Sequence, residues 1–195
     1  MTDTEYYNLI QPYRDAMKLL LTRLEVLNHT IYETAESKSI HMVQNRIKKK
    51  TSIENKLITR GEKPTKDNAK NMLMDIAGIR VVCYFIEDID QLIHMLKNQS
   101  DLILIRESDY ISNPKPNGYR SHHLIVGVNV FCLDASEYYP VEIQFRTISM
   151  DFWAALEHRI SYKKQYDNKE QRVAELLRYS NILRDMEKEF EKYKD

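Results

Sequence analysis

The sequence predicts an α/β (α+β) chain: a mixed five-stranded sheet flanked by helices, with additional N- and C-terminal helices. Three observations predict it. The β-rich runs "GIRVVCYF" and "DLILIRES" enclose "EDIDQLIHMLKNQ", whose Ile89, Leu92, Ile93 and Leu96 share one helical face, giving a strand, helix, strand unit. Two further β-rich runs follow, "HHLIVGVNVFCL" and "PVEIQFRT". Apolar residues at helical spacing occupy both ends of the chain. Helices outside and strands within divide the chain into a helical segment over 1–40, an α/β body over 41–165 and a terminal helix over 166–195.

In chain order, Met17, Leu20, Leu21, Leu24, Leu27 and Ile31 mark an amphipathic helix expected to start shortly after Pro12. "SIHMVQNRIK" alternates as a strand, with Gln44, Arg46 and Lys48 on one face and Val43, Asn45 and Ile47 on the other. "TSIENKLITRG" predicts a short helix with a capping box at Thr51 and Glu54 and a stop at Gly61. The strand "PVEIQFRT" sets Glu142, Gln144 and Arg146 opposite Val141, Ile143 and Phe145. "SMDFWAALEHRISYKK" starts a helix at Ser149, with Trp153 as a core residue. A last helix runs from about Lys169 to Tyr193 through Val173, Leu176, Leu177, Ile182, Leu183, Met186 and Phe190.

Composition narrows the function classes. With 195 residues, 43% hydrophobic and 30% charged, the chain can bury a core. No apolar run reaches the roughly 18 residues of a membrane span, and "MTDTEYYNLI" lacks a signal-peptide pattern, so a cytoplasmic protein without membrane partners is expected. The 29 basic and 29 acidic side chains cancel, so no global field draws it to nucleic acid. Cys83 and Cys132 sit in apolar runs without C-x-x-C spacing and read as buried thiols.

Local chemistry is concentrated in four stretches. "RIKKKTSIENK" puts Arg46 and Lys48 on one strand face, with Ser52 and Lys56 in the following helix; this reads as a polyphosphate cradle or as a solvated basic face. "MDIAGIRVVCYF" sets Asp75 and Arg80 around a small-residue turn, either to hold Mg²⁺ and stack on a base or to cap the turn and pair. The row Glu142, Gln144, Arg146 is a second acidic and cationic strand face, or an ordinary half-exposed one. "NPKPNGYRSHHLIV" supplies Tyr119 to stack on a purine, Gly118 for close backbone approach, and Lys115, Arg120 and His123 for phosphates; the alternative is a hairpin loop with surface histidines. The adjacent His122 and His123 point oppositely on a strand, which argues against zinc. G-x-S-x-G, H-E-x-x-H, P-loop and G-x-G-x-x-G patterns do not occur.

In this order, "RIKKKTSIENKL", "DIAGIRVVCYFIED", "NPKPNGYRSHHLIV" and "VEIQFRTISMDFWAALEHRISYK" closely resemble the RelA/SpoT alarmone synthetase domain, over about Met42 to Lys163. The length resembles the small alarmone synthetases, which consist of the synthetase domain alone. The resemblance implies a nucleotidyltransferase-like synthetase fold. It also implies a GTP pyrophosphokinase that transfers the β,γ-pyrophosphate of ATP to the 3′-OH of GDP or GTP, giving ppGpp or pppGpp and AMP in the stringent response.

By the same resemblance, Arg46, Lys48, Ser52, Lys56 and Arg80 match ATP-holding positions, with Arg46 and Arg80 able to sandwich adenine. Asp75 and Glu142 match the catalytic acidic pair associated with Mg²⁺, Glu142 being base, metal ligand or both. Tyr119 matches the guanine-stacking tyrosine, with Lys115, His123 and Gln144 beside the acceptor. Two positions depart from the pattern: His122 stands where many relatives carry an apolar residue, and Asp151 where some small synthetases carry asparagine. The family implies a homotetramer, while nucleic acid is not expected as a substrate. Without a His-Asp pair in the chain, product hydrolysis is not expected.

Overall fold

The structure, a computed structural model, describes residues 1–31, 38–132, 135–163 and 169–193. Strands β1 (Ile40–Ile47), β2 (Ala77–Cys83), β3 (Leu102–Asp109), β4 (His122–Cys132) and β5 (Ala135–Thr147) form one sheet in the order β1-β2-β5-β4-β3. β2 and β5 run parallel; the other neighbouring pairs are antiparallel. The expected mixed five-stranded sheet is therefore present. The strand, helix, strand unit of β2, α4 (Ile86–Lys97) and β3 does not place its strands side by side, because β5 and β4 lie between them.

Alternation along β5 decides which face is buried. Val141, Ile143 and Phe145 are fully buried and join Val81, Leu124 and Val126 in a core covered by α1 (Asp3–Ile31) and α4. From α1 this core receives Leu9, Ile10, Tyr13, Ala16, Leu20 and Leu24. The opposite face, carrying Glu142 and Gln144, lacks such a helical cover over its centre and forms a cleft.

Several boundaries differ from the sequence reading, each for a physical reason. α1 starts at Asp3, not after Pro12, which lies inside the helix. Thr2 and Glu5 form a reciprocal capping box, each side chain accepting from the other's N–H. Burial of Leu9, Ile10 and Tyr13 continues the apolar stripe past the proline and outweighs its missing donor. In α2 (Lys50–Thr59) the N-cap is Lys49 and the expected Thr51–Glu54 capping box is not made; Glu54 instead lies 3.4 Å from the N-terminal amine. Gly61 does end this segment, at φ +80°, donating to the Ile58 carbonyl.

A short helix not anticipated from sequence, α3 (Lys66–Met72), is capped by Thr65, whose hydroxyl accepts from the Asn68 N–H. β5 begins at Ala135, ahead of the expected Pro140. There β5 pairs with β4 alone, since the first β2 partner is Val141, so a residue without an N–H is tolerated. At the far end α5 (Ile148–Lys163) and α6 (Lys169–Glu191) enclose a second small core of Trp153, Ala154 and Leu176. Cys83 is buried, and burial pushes its thiol pKa up; the Cys132 side chain lies outside the described residues.

Leu20→Ala should lower stability by about 2–5 kcal/mol, because Leu20 is fully buried under the sheet. Glu25→Ala, on the exposed face of the same helix, should stay within about 0.5 kcal/mol. Denaturant titration of both variants checks the difference.

Candidate active site

The cleft is fixed by register. On β2 and β5, Gly78 pairs with Glu142 and Arg80 with Gln144; on β1 and β2, Arg46 pairs with Gly78 and Gln44 with Arg80. These residues share the open face and line a cleft of 270 Å³. A Cβ at Gly78 would meet nothing within 4 Å, so its bare backbone widens the floor between Arg46 and Glu142.

At the start of β2 lies a lysine lobe. Lys48 Nζ and Lys56 Nζ both contact Asp75 Oδ2, at 2.5 and 2.6 Å. The chain arrives there because the Lys48 N–H donates to the Ile76 carbonyl, tying the end of β1 to the turn before β2. Burial alone would raise the Asp75 pKa, but the hydrogen bonds from Lys48 and Lys56 hold it below the usual carboxylate range. Burial pushes Lys48 down, against the pull of Asp75. One carboxylate facing two ammonium groups leaves a net positive pocket suited to phosphate. Asp75 Oδ1 is buried and unpartnered among the described residues. Ser52 is exposed on the first turn of α2; its N–H is already donated to the Lys49 carbonyl, so its hydroxyl is what it can offer a ligand.

Glu142 sits between this lobe and an aromatic one. Its Oε1 lies 3.4 Å from His123 Nδ1, and its Oε2 accepts from Gln144 Nε2 at 3.3 Å. The His123 hydrogen bond is the main cause holding Glu142 below the usual range, while the Asp75 charge pushes it the other way, so the two carboxylates sense one another across the cleft.

His123 Nε2 is 2.9 Å from the Tyr119 hydroxyl. That hydroxyl accepts from Arg146 at 2.9 Å, and Arg146 also donates to Gln144 Oε1 at 3.2 Å. Glu142, Gln144, Arg146, Tyr119 and His123 thus close a ring of polar contacts. Lys115 Nζ stands 4.9 Å from the Tyr119 ring centroid and 4.7 Å from that of Tyr110. Asp151, in the first turn of α5, accepts from Arg146 at 2.9 Å and lies 3.3 Å from Arg80.

The expected site residues therefore gather on one face: Arg46, Lys48, Ser52, Lys56, Asp75 and Arg80 toward β1 and α2, and Lys115, Tyr119, His123 and Gln144 toward β4 and its preceding loop. Two residues of that loop do something else. Arg120 is buried and donates to the Ser180 carbonyl and to Asn181 Oδ1 on α6, so it does not face a phosphate. Gly118 is approached by α6, not by a ligand: a Cβ there would lie 2.6 Å from Ser180 Cβ. Arg146, Asp151 and Tyr110 also face this site, though the sequence gives none of them a ligand role. Arg146 was signalled by its place in the Glu142 and Gln144 row; nothing local marks Tyr110, which reaches Lys115 from the end of β3.

A mixed sheet presenting cationic lobes around the carboxylates Asp75 and Glu142 is an arrangement suited to an enzyme of phosphate-group transfer. A profile described as "Region found in RelA / SpoT proteins" matches residues 45–167. The chain belongs to this family. It is 39% identical over 178 residues, 91% of this chain and 85% of the relative, to the GTP pyrophosphokinase YwaC of Bacillus subtilis (strain 168). Among solved structures it matches small alarmone synthetase 2 from Bacillus subtilis with a TM-score of 0.85 at 36% identity, over 97% of this chain and 98% of that one. It matches small alarmone synthetase 1 from the same organism, bound to its product pppGpp, with a TM-score of 0.84 at 32% identity, over 98% and 97%.

Because Asp75 has a depressed pKa, its stabilising contribution is fully present above its ordinary value and is lost as pH falls through the depressed one. Asp75→Asn should lower the melting temperature at pH 7, where Lys48 and Lys56 lose their counter-charge. The gap to the unsubstituted protein should close as pH falls through the carboxylate range. Melts at a series of pH values from 7 downward read this directly; a gap independent of pH would contradict the ion-pair account.

Proposed function

We propose that this chain is a GTP pyrophosphokinase that transfers the β,γ-pyrophosphate of ATP to the 3′-OH of GDP or GTP, releasing AMP and forming ppGpp or pppGpp in the stringent response. One observation carries this beyond family membership. Glu142, held below the usual carboxylate range by His123, senses Asp75 of the lysine lobe on one side and contacts His123 of the tyrosine lobe on the other, so one carboxylate joins a lobe fit for a polyphosphate to a lobe fit for a base.

In this reading Arg46, Lys48, Ser52, Lys56 and Arg80 hold ATP, while Tyr119, Lys115, His123 and Gln144 hold the acceptor. The 3′-oxygen bonds to the β-phosphorus, the bond from that phosphorus to the α,β-bridging oxygen breaks, and AMP leaves with that oxygen. Glu142 takes the 3′-OH proton; its contact with His123 keeps it in the accepting form. The residues fit Mg²⁺ as cofactor: Asp75 Oδ1 is buried without a partner among the described residues, and Asp75 and Glu142 would hold the ion with two hard carboxylate oxygens. When bound, it would offset the charge of the transferred group.

Assembly into a homotetramer and a cytoplasmic location complete the proposal. Exposed Phe152, Met186 and Phe190 on α5 and α6 support assembly. No helix among the described residues is long and apolar enough to cross a membrane.

Mixing the protein with Mg²⁺, ATP and GDP or GTP, then separating nucleotides by anion exchange, should show AMP rising in step with a more highly charged guanosine product. Pyrophosphate in place of AMP would overturn this assignment. Glu142→Gln should cut turnover by about 10²-fold or more while leaving affinity for a non-hydrolysable ATP analogue within a few-fold. Light scattering on the unsubstituted protein should return four times the 23.3 kDa chain mass.

A further inference from the structure

The loop that presents Tyr119 is held by a helix that contributes no group to the cleft. Ser180 of α6 is buried, and its hydroxyl donates to the Gly118 carbonyl at 2.6 Å. Gly118 has φ +87°, a conformation that L side chains rarely adopt, and a Cβ there would lie 2.6 Å from Ser180 Cβ and 3.1 Å from Leu177 Cα. Backbone of the loop and backbone of α6 are thus in direct contact. Arg120, on the other side of Tyr119, reaches the same turn of α6, donating to the Ser180 carbonyl at 3.0 Å and to Asn181 Oδ1 at 3.1 Å. Tyr119 is therefore flanked on both sides in sequence by residues fastened to α6.

Two further ties join α6 to the aromatic lobe. Trp153 donates its indole N–H to the Leu176 carbonyl at 2.9 Å, and its ring meets the Tyr119 ring edge-on at 6.3 Å between centroids. The buried Glu187 lies against Thr147 and Ser149, where β5 passes into α5. The space left among Gly118, Arg120, Trp153 and Ser180 is 10 Å³, about the minimum for one water, so the joint is close-packed. The groups proposed for ATP, by contrast, are carried on β1 and the residue after it, on α2, and on β2, where only Arg80 reaches α5, through Asp151, while α6 packs on α5 and the Tyr119 loop.

We propose that α6 sets the acceptor pocket, with Ser180 a positioning residue whose hydroxyl fixes the Gly118 carbonyl and thereby the Tyr119 ring for the guanine nucleotide, without bearing on ATP. This rests on the assignment of Tyr119 to the acceptor. A hydroxyl-to-carbonyl bond across a close-packed joint limits how the peptide between Gly118 and Tyr119 can rotate. Losing it frees that peptide, and the ordering must then be supplied on binding, which weakens the acceptor selectively.

The test is Ser180→Ala in the full chain, with calorimetric binding of GDP and of a non-hydrolysable ATP analogue alongside steady-state turnover. Expected is a rise of about fivefold in both Kd and KM for GDP, with the ATP analogue within twofold and kcat at saturating GDP little changed. A thermal melt checks folding. Should Ser180→Ala fold poorly, Asn181→Ala, which removes only the outer Arg120 contact, decides the question by the same ratio of GDP to ATP effects. Both affinities falling together, or neither changing, would overturn the proposal. If the unsubstituted protein binds both nucleotides but forms no AMP, the reaction assignment fails while the binding ratio still decides the role of α6.

Discussion

The parallel pairing of β2 with β5 is the constraint on which the cleft depends. It sets Gly78 beside Glu142 and Arg80 beside Gln144 while sending Ile79, Val81, Ile143 and Phe145 into the core. Because side chains alternate with period two, a slip of one residue would bury Glu142 and Gln144 and expose Ile143 and Phe145. Core packing under α1 thus enforces the register of the polar face. Specificity of the site and stability of the fold draw on the same strand alternation.

Charge is distributed along that face with a purpose that follows from the ligands proposed for it. A polyphosphate needs cations, but unopposed cations would repel one another in an open cleft. Asp75 holds Lys48 and Lys56 together, and Asp151 does the same for Arg80 and Arg146. Each carboxylate is outnumbered two to one, so the lobes stay positive while their side chains are ordered beforehand. Glu142 lies between them, and its hydrogen bonds to His123 and Gln144 keep it ionised and oriented.

The strands and the polar row were legible because alternation is local: "VEIQFRT" and "QNRIK" each declare two faces within a few residues. Tyr119 and His123 are legible as candidate ligand groups from the crowding of "NPKPNGYRSHHLIV" and from the family resemblance of that stretch. Gly118 and Arg120 were misread because their partners, Ser180 and Asn181, lie about sixty residues away, and no local pattern reveals which helix will approach a loop. The start of α1 is not legible locally because Pro12 reads as a helix boundary, whereas Tyr13 and Ile10 are buried deeply enough to carry the helix through it. Arg146 was noted only as one of a row; its contacts to Tyr119 and Asp151 join three elements and emerge only from the tertiary arrangement.

The sheet is open, and its two outer strands are unlike. β1 ends the sheet beside the lysine lobe; Gln44 and Arg46 lie along it and Lys48 just past its end, with an irregular register near His41. β3 ends the other side with Ile103, Leu104 and Ile105 exposed in succession, and there the pairing with β4 skips between Leu104 and Arg106. An unpaired strand edge is a template for another chain, and charge or a bulge discourages such addition. The cations of β1 therefore also guard against edge-to-edge aggregation, while on β3 the bulge at Ile105 must do so for a strand whose side chains would otherwise invite it. Protection of the two margins is thus tied to the cations beside the cleft on one side and to a single backbone irregularity on the other.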